Sequence, residues 1–314
     1  MLFVKKLSCG VLFFLLVFSA KAQQDPQFSL SFLKRMYNNP GYAGNTTENL
    51  FTATGVSRLE LTGFEGAPVV TAVDVHGPIT LFGISSGVGI SLYNDIAGAL
   101  RAPGFSLTYA YRHKILDGVI GIGVTAGMIA SWYVSPEWRL PEGGSVTDNS
   151  LPTGETAGMS FDMDFGVYYQ SPSWFGGVAC KHLTAPKLGQ DRVGSLPRTF
   201  YANLGYTYAF EEPELVIMPM LDVITDFGQT GFCFKAVGFY KKVYWAGLGY
   251  RWEQAVIGML GLEIFEGLKV AYAYEFPVSK LSRFSSGTHE MLLSYSFSIA
   301  VPKGSQRYKS IRYL

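Results

Sequence analysis

Along residues 49–299, large apolar side chains alternate with glycines, small polar residues and charges, in stretches of about ten residues that recur about fourteen times. Every second residue of a strand shares a face. Phe105, Leu107, Tyr109 and Tyr111 therefore point one way, and Ser106, Thr108, Ala110 and Arg112 the other. One face is too apolar and the opposite too polar for a sandwich of so many repeats. The pattern predicts an all-β, antiparallel, up-and-down transmembrane barrel of about 14 strands, with lipid outside and a wet or plugged lumen inside. The expected strands cover 49–58, 67–76, 83–93, 104–115, 118–134, 159–170, 174–183, 199–210, 214–226, 231–240, 243–253, 256–265, 268–277 and 289–299.

A Lys or Arg facing lipid at mid-depth costs roughly 2 to 4 kcal/mol, so charges within strands belong on the face opposite the aromatics. Asp162 and Asp164 oppose Phe161, Met163 and Phe165; Lys269 and Glu275 oppose Val270, Tyr272 and Tyr274; Arg251 opposes Tyr250 and Trp252. The seventh strand, with Lys181, alternates poorly. Gly121, Gly123 and Gly127 fall on the inner face, where a glycine forfeits packing unless something approaches closely. A plug or the curvature of the wall would supply the reason.

The connections provide a second test, because outer-membrane barrels have short periplasmic turns and longer outside loops. Tight links at 116–117, 171–173, 211–213, 241–242 and 266–267 all follow even strands, and the long links 135–158, 184–198 and 278–288 follow odd ones. Links 227–230 and 254–255 would be short outside loops. Both chain ends are then expected in the periplasm.

The amino terminus changes the picture. Lys5 and Lys6 precede an apolar run from Val11 to Phe18, followed by Ala20-Lys21-Ala22, which reads as a secretory signal peptide over 1–22. The run is short of the roughly 20 residues that span a bilayer, and Cys9 is misplaced for lipidation. Without Lys5, Lys6 and Lys21, the remaining chain has 22 basic against 24 acidic residues, which provides no field for nucleic acid. The 15% aromatic content and 36 glycines of the full sequence suit aromatic girdles and close strand contacts. Cys180 and Cys233 fall on the seventh and tenth strands, which are not neighbours, and read as unpaired.

Two segments flank the barrel at 49–299. In the 23–48 segment, Phe28, Phe32, Leu33, Met36 and Tyr37 have helical spacing that Asn39-Pro40 breaks. This predicts a short periplasmic or lumen-inserted helix able to plug the pore. The 300–314 tail carries Lys303, Arg307, Lys309 and Arg312 and no acid, a composition suited to an acidic partner.

Catalytic chemistry is not proposed by any residue set. His76, His113, His182 and His289 lack metal-ligand spacing. The Gly121–Gly127 run sits inside a strand and opens no helix, as a phosphate loop must. Asp162 and Asp164 alone fall short of the 6 to 8 oxygens of a calcium shell. The chain therefore reads as neither an enzyme nor a holder of metal or cofactor.

Four ordered motifs carry a family likeness. They are Gln24-Asp25-Pro26-Gln27-Phe28-Ser29, Tyr37-Asn38-Asn39-Pro40-Gly41-Tyr42-Ala43-Gly44, Gly63-Phe64-Glu65-Gly66-Ala67-Pro68 and Gly287-Thr288-His289-Glu290. With these the chain resembles the PorP/SprF family, outer-membrane proteins of the Bacteroidetes type IX secretion and gliding system. The resemblance implies a non-enzymatic barrel that assists secretion or surface attachment of a partner protein. It also implies contact with a periplasmic lipoprotein or peptidoglycan-binding protein of that machinery.

Recognition is usually placed on long loops of a rigid scaffold, so Trp138, Arg139, Lys187 and Arg192 are the expected contacts for a secreted surface protein. Phe28, Tyr37, Pro40, Tyr42, Lys303, Arg307, Lys309 and Arg312 are the expected periplasmic contacts. The alternative function is a gated outer-membrane channel for small or hydrophobic solutes.

Overall fold

The computed structural model describes residues 25–46, 50–63, 65–134, 155–188, 194–211 and 214–299. Fourteen antiparallel strands form one cylinder. They are β1 (Phe51–Leu59), β2 (Val69–Leu81), β3 (Ile84–Ala97), β4 (Leu100–Ile115) and β5 (Gly118–Val134). Next come β6 (Glu155–Gln170), β7 (Trp174–Lys181), β8 (Thr199–Tyr206, continued by Tyr208–Phe210), β9 (Leu215–Thr225) and β10 (Thr230–Tyr240). The last four are β11 (Tyr244–Arg251), β12 (Ala255–Phe265), β13 (Leu268–Pro277) and β14 (Thr288–Phe297). Sequence neighbours pair in space throughout, and β14 returns to β1 with Phe51 opposite Phe297 and Leu59 opposite His289. All fourteen expected strands are present.

Strand parity sets the two faces. Phe105 is 44% and Leu107 51% exposed on the outside of β4, whereas Thr108 and Ala110 are buried inside. The same division puts Phe232 and Phe234 outside β10 and Cys233 and Lys235 inside. Asp162, Arg251 and Glu275 are inward and buried, as the cost of a charge in lipid requires. Lys181, on the poorly patterned strand, is also inward and buried. Ser86 points toward lipid, but its hydroxyl lies 3.0 Å from the Tyr109 phenol, which covers it. Cys180 and Cys233 are free thiols.

Tight turns close the even strands. Phe82-Gly83 has φ of 51° and 81°, and Lys241-Lys242 has 52° and 57°, the left-handed conformations that match strand twist in two-residue hairpins. β7 ends at Lys181, two residues earlier than expected, because His182 takes a φ of 56° and leaves the ladder. Beyond it, Lys187–Leu188 pairs with Gly194–Ser195 in a small ribbon outside the barrel sheet. Its Leu188 is buried beside Ala102 and Ile129 near the ends of β4 and β5.

The segment 25–46 lies inside the cylinder. It is not one helix: a 3-10 turn at Ser31–Leu33, an α turn at Arg35–Asn38 and a second 3-10 turn at Pro40–Tyr42 follow each other. Lys34, with φ −128° and ψ 45°, breaks the first from the second. Its ammonium is drawn to the buried Asp74 on β2. The helical spacing of the sequence thus yields separate turns that bury Phe28, Phe32 and Met36 against the wall.

The inner-face glycines divide in their purpose. A Cβ at Gly121 would overlap the Gly41 carbonyl, and one at Gly123 would overlap the Pro40 and Gly41 backbone. Reciprocally, a Cβ at Gly41 would lie 2.6 Å from the Gly121 oxygen and 2.8 Å from the Tyr168 nitrogen. Gly87 makes the same room for Ala43, Gly89 for Met36 and Gly166 for Asn39. The plug and the wall from β3 to β6 therefore meet backbone to backbone. Gly127 is different: its missing side chain would strike Phe105 and Ser106 of neighbouring β4, so there the wall itself sets the requirement.

Replacing Gly121 by Val is expected to lower stability by about 3 kcal/mol, the upper range for overpacking, because backbone rather than a flexible side chain must give way. The lipid-facing Gly258, which has open space around it, should accept Ala with little change. Thermal unfolding of the detergent-solubilised barrels measures both.

Candidate functional site

The lumen is occupied by the plug, and the charges that strand parity turns inward hold it. Glu290 on β14 accepts the Ser29 and Leu30 backbone N–H groups at 2.8 and 2.9 Å. Arg58 on β1 reaches Glu275 at 2.8 Å, Glu290 at 3.0 Å and Glu60 at 2.7 Å. Arg251 on β11 pairs with Glu275 at 2.8 Å and donates to the Gln27 carbonyl at 3.0 Å. Glu275 also accepts from the Ser29 hydroxyl. On the next strands, Lys235 bonds Asp222 at 2.6 Å and the Ser29 carbonyl at 3.2 Å, while Asp222 accepts from Ser31 at 2.9 Å.

The opposite wall grips by other means. Asn39 donates to the carbonyls of Val167 and Val178 at 3.0 and 3.2 Å, and its own oxygen accepts from Gly41 at 2.9 Å. The Arg35 guanidinium lies 4.0 Å from the Phe175 ring centroid and donates to the Tyr168 phenol at 2.9 Å. Tyr42 packs edge-on against Tyr168 at 5.0 Å.

The start of the plug forms a latch. Asp25 accepts from Lys181 at 3.2 Å, His182 Nε2 at 2.9 Å and the Tyr201 phenol at 2.9 Å. His182 Nδ1 lies 2.5 Å from Asp162. Burial would raise the Asp25 pKa, but His182 and Lys181 outweigh it and hold the carboxyl well below its usual range. Burial would lower His182, and the two carboxylates instead raise it from 6.5 to about 10. Burial pushes the Tyr37 phenol up to about 12. Asp162, Asp164 and His182 bring ligand-type atoms within 4.8 Å of one another, but both ring nitrogens of His182 are engaged by carboxylates, so the arrangement is that of an ion-paired latch.

Above the plug is a cavity of about 530 Å³. Its lining comes from the ends of odd strands and the starts of even ones, such as Glu60, Pro68, Asp95, Leu100 and Thr288, with Leu188 and Leu196 at its edge. This vestibule is at the end of the barrel that bears the long links. A smaller void of about 50 Å³ beside the plug is bordered by Arg35, Asn203 and Asp222.

The expected contacts are distributed unevenly. Phe28 and Pro40 are buried and Tyr37 and Tyr42 half-buried in the lumen, a correction to their assignment as a periplasmic surface: apolar side chains at the plug–wall contact are covered by the barrel. The first described residue, Asp25, lies in the long-link half of the lumen, so the expected tight-turn placement of the amino terminus does not extend to it. Lys187 is exposed on the ribbon, and its carbonyl accepts from Ser160 at 2.6 Å. Trp138, Arg139 and Arg192, as well as Lys303, Arg307, Lys309 and Arg312, lie outside the described residues. Sequence reasoning overlooked Arg58, Lys235, Asp222 and Asp74 as plug anchors, although their inward strand parity was the available signal.

A family model described as "Type IX secretion system membrane protein PorP/SprF" matches residues 20–295. The chain belongs to the PorP/SprF family. No curated protein matches it. Among solved structures, the PorP/SprF chain is similar to the toluene transporter TbuX of Ralstonia pickettii, at 12% identity and a TM-score of 0.48 over 85% of this chain and 94% of that one. It is also similar to the outer membrane protein Omp33 of Acinetobacter baumannii, at 8% identity and 0.47 over 80% and 98%. The CymD monoaromatic hydrocarbon channel follows at 12% and 0.48 over 85% and 93%. These likenesses are of barrel shape. The PorP/SprF chain is a secretion-family membrane protein whose own strands close a barrel.

Removing one member of a buried ion pair costs about 3 to 5 kcal/mol when the partner is left uncompensated. Glu290→Gln is therefore expected to destabilise the barrel by that order, because Arg58 loses a carboxylate; denaturant unfolding in detergent measures it. The latch adds a pH signature. His182, raised from 6.5 to about 10, contributes fully below pH 6.5 and loses that contribution as pH climbs through about 10. Asp25, held low, contributes above its ordinary 3.8 and loses the contribution only in stronger acid. The melting-temperature difference between wild type and His182→Gln should be largest near pH 6 and shrink toward pH 10.

Proposed function

We propose that this chain is a non-enzymatic outer-membrane barrel of the type IX secretion machinery, closed by its own amino-terminal plug, which assists secretion or surface attachment of a partner protein. The observation that carries the reading is a lumen whose inward charges, Arg58, Lys235, Arg251, Glu275 and Glu290, are spent on residues 27–31 of the same chain. A wall built to pass solute would leave such groups facing water. Family membership supplies the machinery.

In this reading the long-link end faces outward and holds the secreted surface protein, with Trp138, Arg139, Lys187 and Arg192 among its contacts. The tight-turn end faces the periplasm and meets a lipoprotein or peptidoglycan-binding protein, with the basic tail Lys303, Arg307, Lys309 and Arg312 as its docking segment. Outer-membrane lipid surrounds the aromatic exterior. A second reading, a gated channel for small or hydrophobic solutes, is favoured by the vestibule of about 530 Å³ above the plug.

Tagged barrel purified from its own cells is expected to bring a secreted protein and a periplasmic component with it. A chain truncated at 299 should lose the periplasmic component and keep the secreted one. Wild type in planar bilayers should conduct weakly, and deletion of 25–44 should raise conductance several-fold. Large wild-type conductance with solute uptake and no co-purifying protein would move the assignment to the channel.

A further inference from the structure

The vestibule is unbalanced in charge, and its size is that of a ligand site. Its volume of about 530 Å³ falls within the roughly 300 to 1,000 Å³ of small-molecule pockets. One side is apolar: Leu188 and Leu196 from the ribbon and its flank fold back over Leu100, Ala102 and Ile129. The Tyr93 ring borders the same space. The other side carries ionised groups.

Every cationic side chain among the described lining residues is already paired. Arg58 holds Glu60 and Glu275, Arg251 holds Glu275, and Lys181 and His182 hold Asp25, with His182 also on Asp162. One lining carboxylate has no cation beside it. Asp95, half-buried on β3, makes no hydrogen bond or ion pair to any described residue, and the charges that act on it, Glu60 and Asp25, are of its own sign. Asp164 accepts the backbone N–H of His182 at 3.0 Å and already lies in the field of the Lys181 and His182 cations. An enclosed carboxylate facing like charges has an unmet demand for a cation. A nitrogen-ligated metal fits poorly, since both His182 nitrogens are engaged, and a single unpaired carboxylate falls short of the roughly 6 to 8 oxygens of a calcium shell. A basic side chain with an aliphatic stem fits both walls, its stem along the leucines and its head on Asp95.

We propose that the vestibule is a binding site for an arginine or lysine side chain flanked by apolar residues, presented by the polypeptide that the barrel holds at its long-link end. The proposal rests on the tethering role above and gives that partner a chemistry. Asp25, Pro26 and Gln27 of the plug form part of the lining, so the incoming side chain meets the plug as well as the wall.

The test uses the full mature barrel in detergent and a fluorescent blocked peptide, acetyl-Leu-Arg-Leu-amide, with its citrulline counterpart. Fluorescence anisotropy should show the arginine peptide binding about ten-fold more tightly, a difference of about 1.4 kcal/mol. Asp95→Asn should remove that preference while leaving the melting temperature unchanged or raised, because the carboxylate has no partner to lose.

Equal affinity for the two peptides, or an undiminished preference in Asp95→Asn, would overturn the proposal. Competition by calcium chloride at low millimolar concentration would overturn it in favour of a metal site. Agmatine binding as tightly as the peptide would overturn the polypeptide source in favour of a small amine. Peptide binding without any co-purifying surface protein would count against the tether and not the site, and the reverse result would count against the site alone.

Discussion

Hydrocarbon offers no hydrogen bonds, so an unpaired backbone group or a bare charge within it costs several kcal/mol. That single penalty brings β14 back to β1 and turns Asp162, Arg251 and Glu275 toward the axis. Once closed, the cylinder has an interior lined with charge that must be answered by water or by protein. Here protein answers it. The turns of residues 25–46 offer N–H groups to Glu290, carbonyls to Arg251 and Lys235, and an ammonium to Asp74.

The two halves of the wall hold the plug with different physics. On β3 and β5, removal of side chains at Gly87, Gly121 and Gly123 lets main chain rest on main chain, and on β6 Gly166 makes room for the Asn39 side chain, contacts that depend on shape. From β9 around to β1, the grip is ionic and runs through Arg58, Asp222, Lys235, Arg251, Glu275 and Glu290. Replacing a lysine or glutamate weakens the second. Only bulk defeats the first.

Much of this was legible from residue order, and the reasons are specific. Period-two alternation is a strong signal when one side meets lipid, so the strands and their inward charges emerged together. The alternation of tight and long links distinguished the two rims at most strands, although β3 and β4 extend into the expected outside link and meet across residues 98–99. What escaped was long-range. Nothing local says that Asp25 will find His182, 157 positions away, or that Glu290 will cap a turn begun at Ser29. The helical spacing of Phe28, Phe32 and Met36 was real, but Lys34 is drawn out of it by Asp74 and leaves single turns in place of a helix. Gly121 and Gly123 were recognised as anomalous, and the plug accounts for them, while Gly127 answers to strand curvature.

Main-chain contact without intervening side chains has a bearing on how the molecule is made. The strip between Pro40 and Ala43 is seated so closely on β3, β5 and β6 that a finished cylinder would have to let a folded, ion-paired segment slide past Phe175, Tyr168 and Met36's own niche. Laying the strands around a segment already in position avoids that passage. The close seat of Pro40 to Ala43 thus favours a wall that closes on turns already in place.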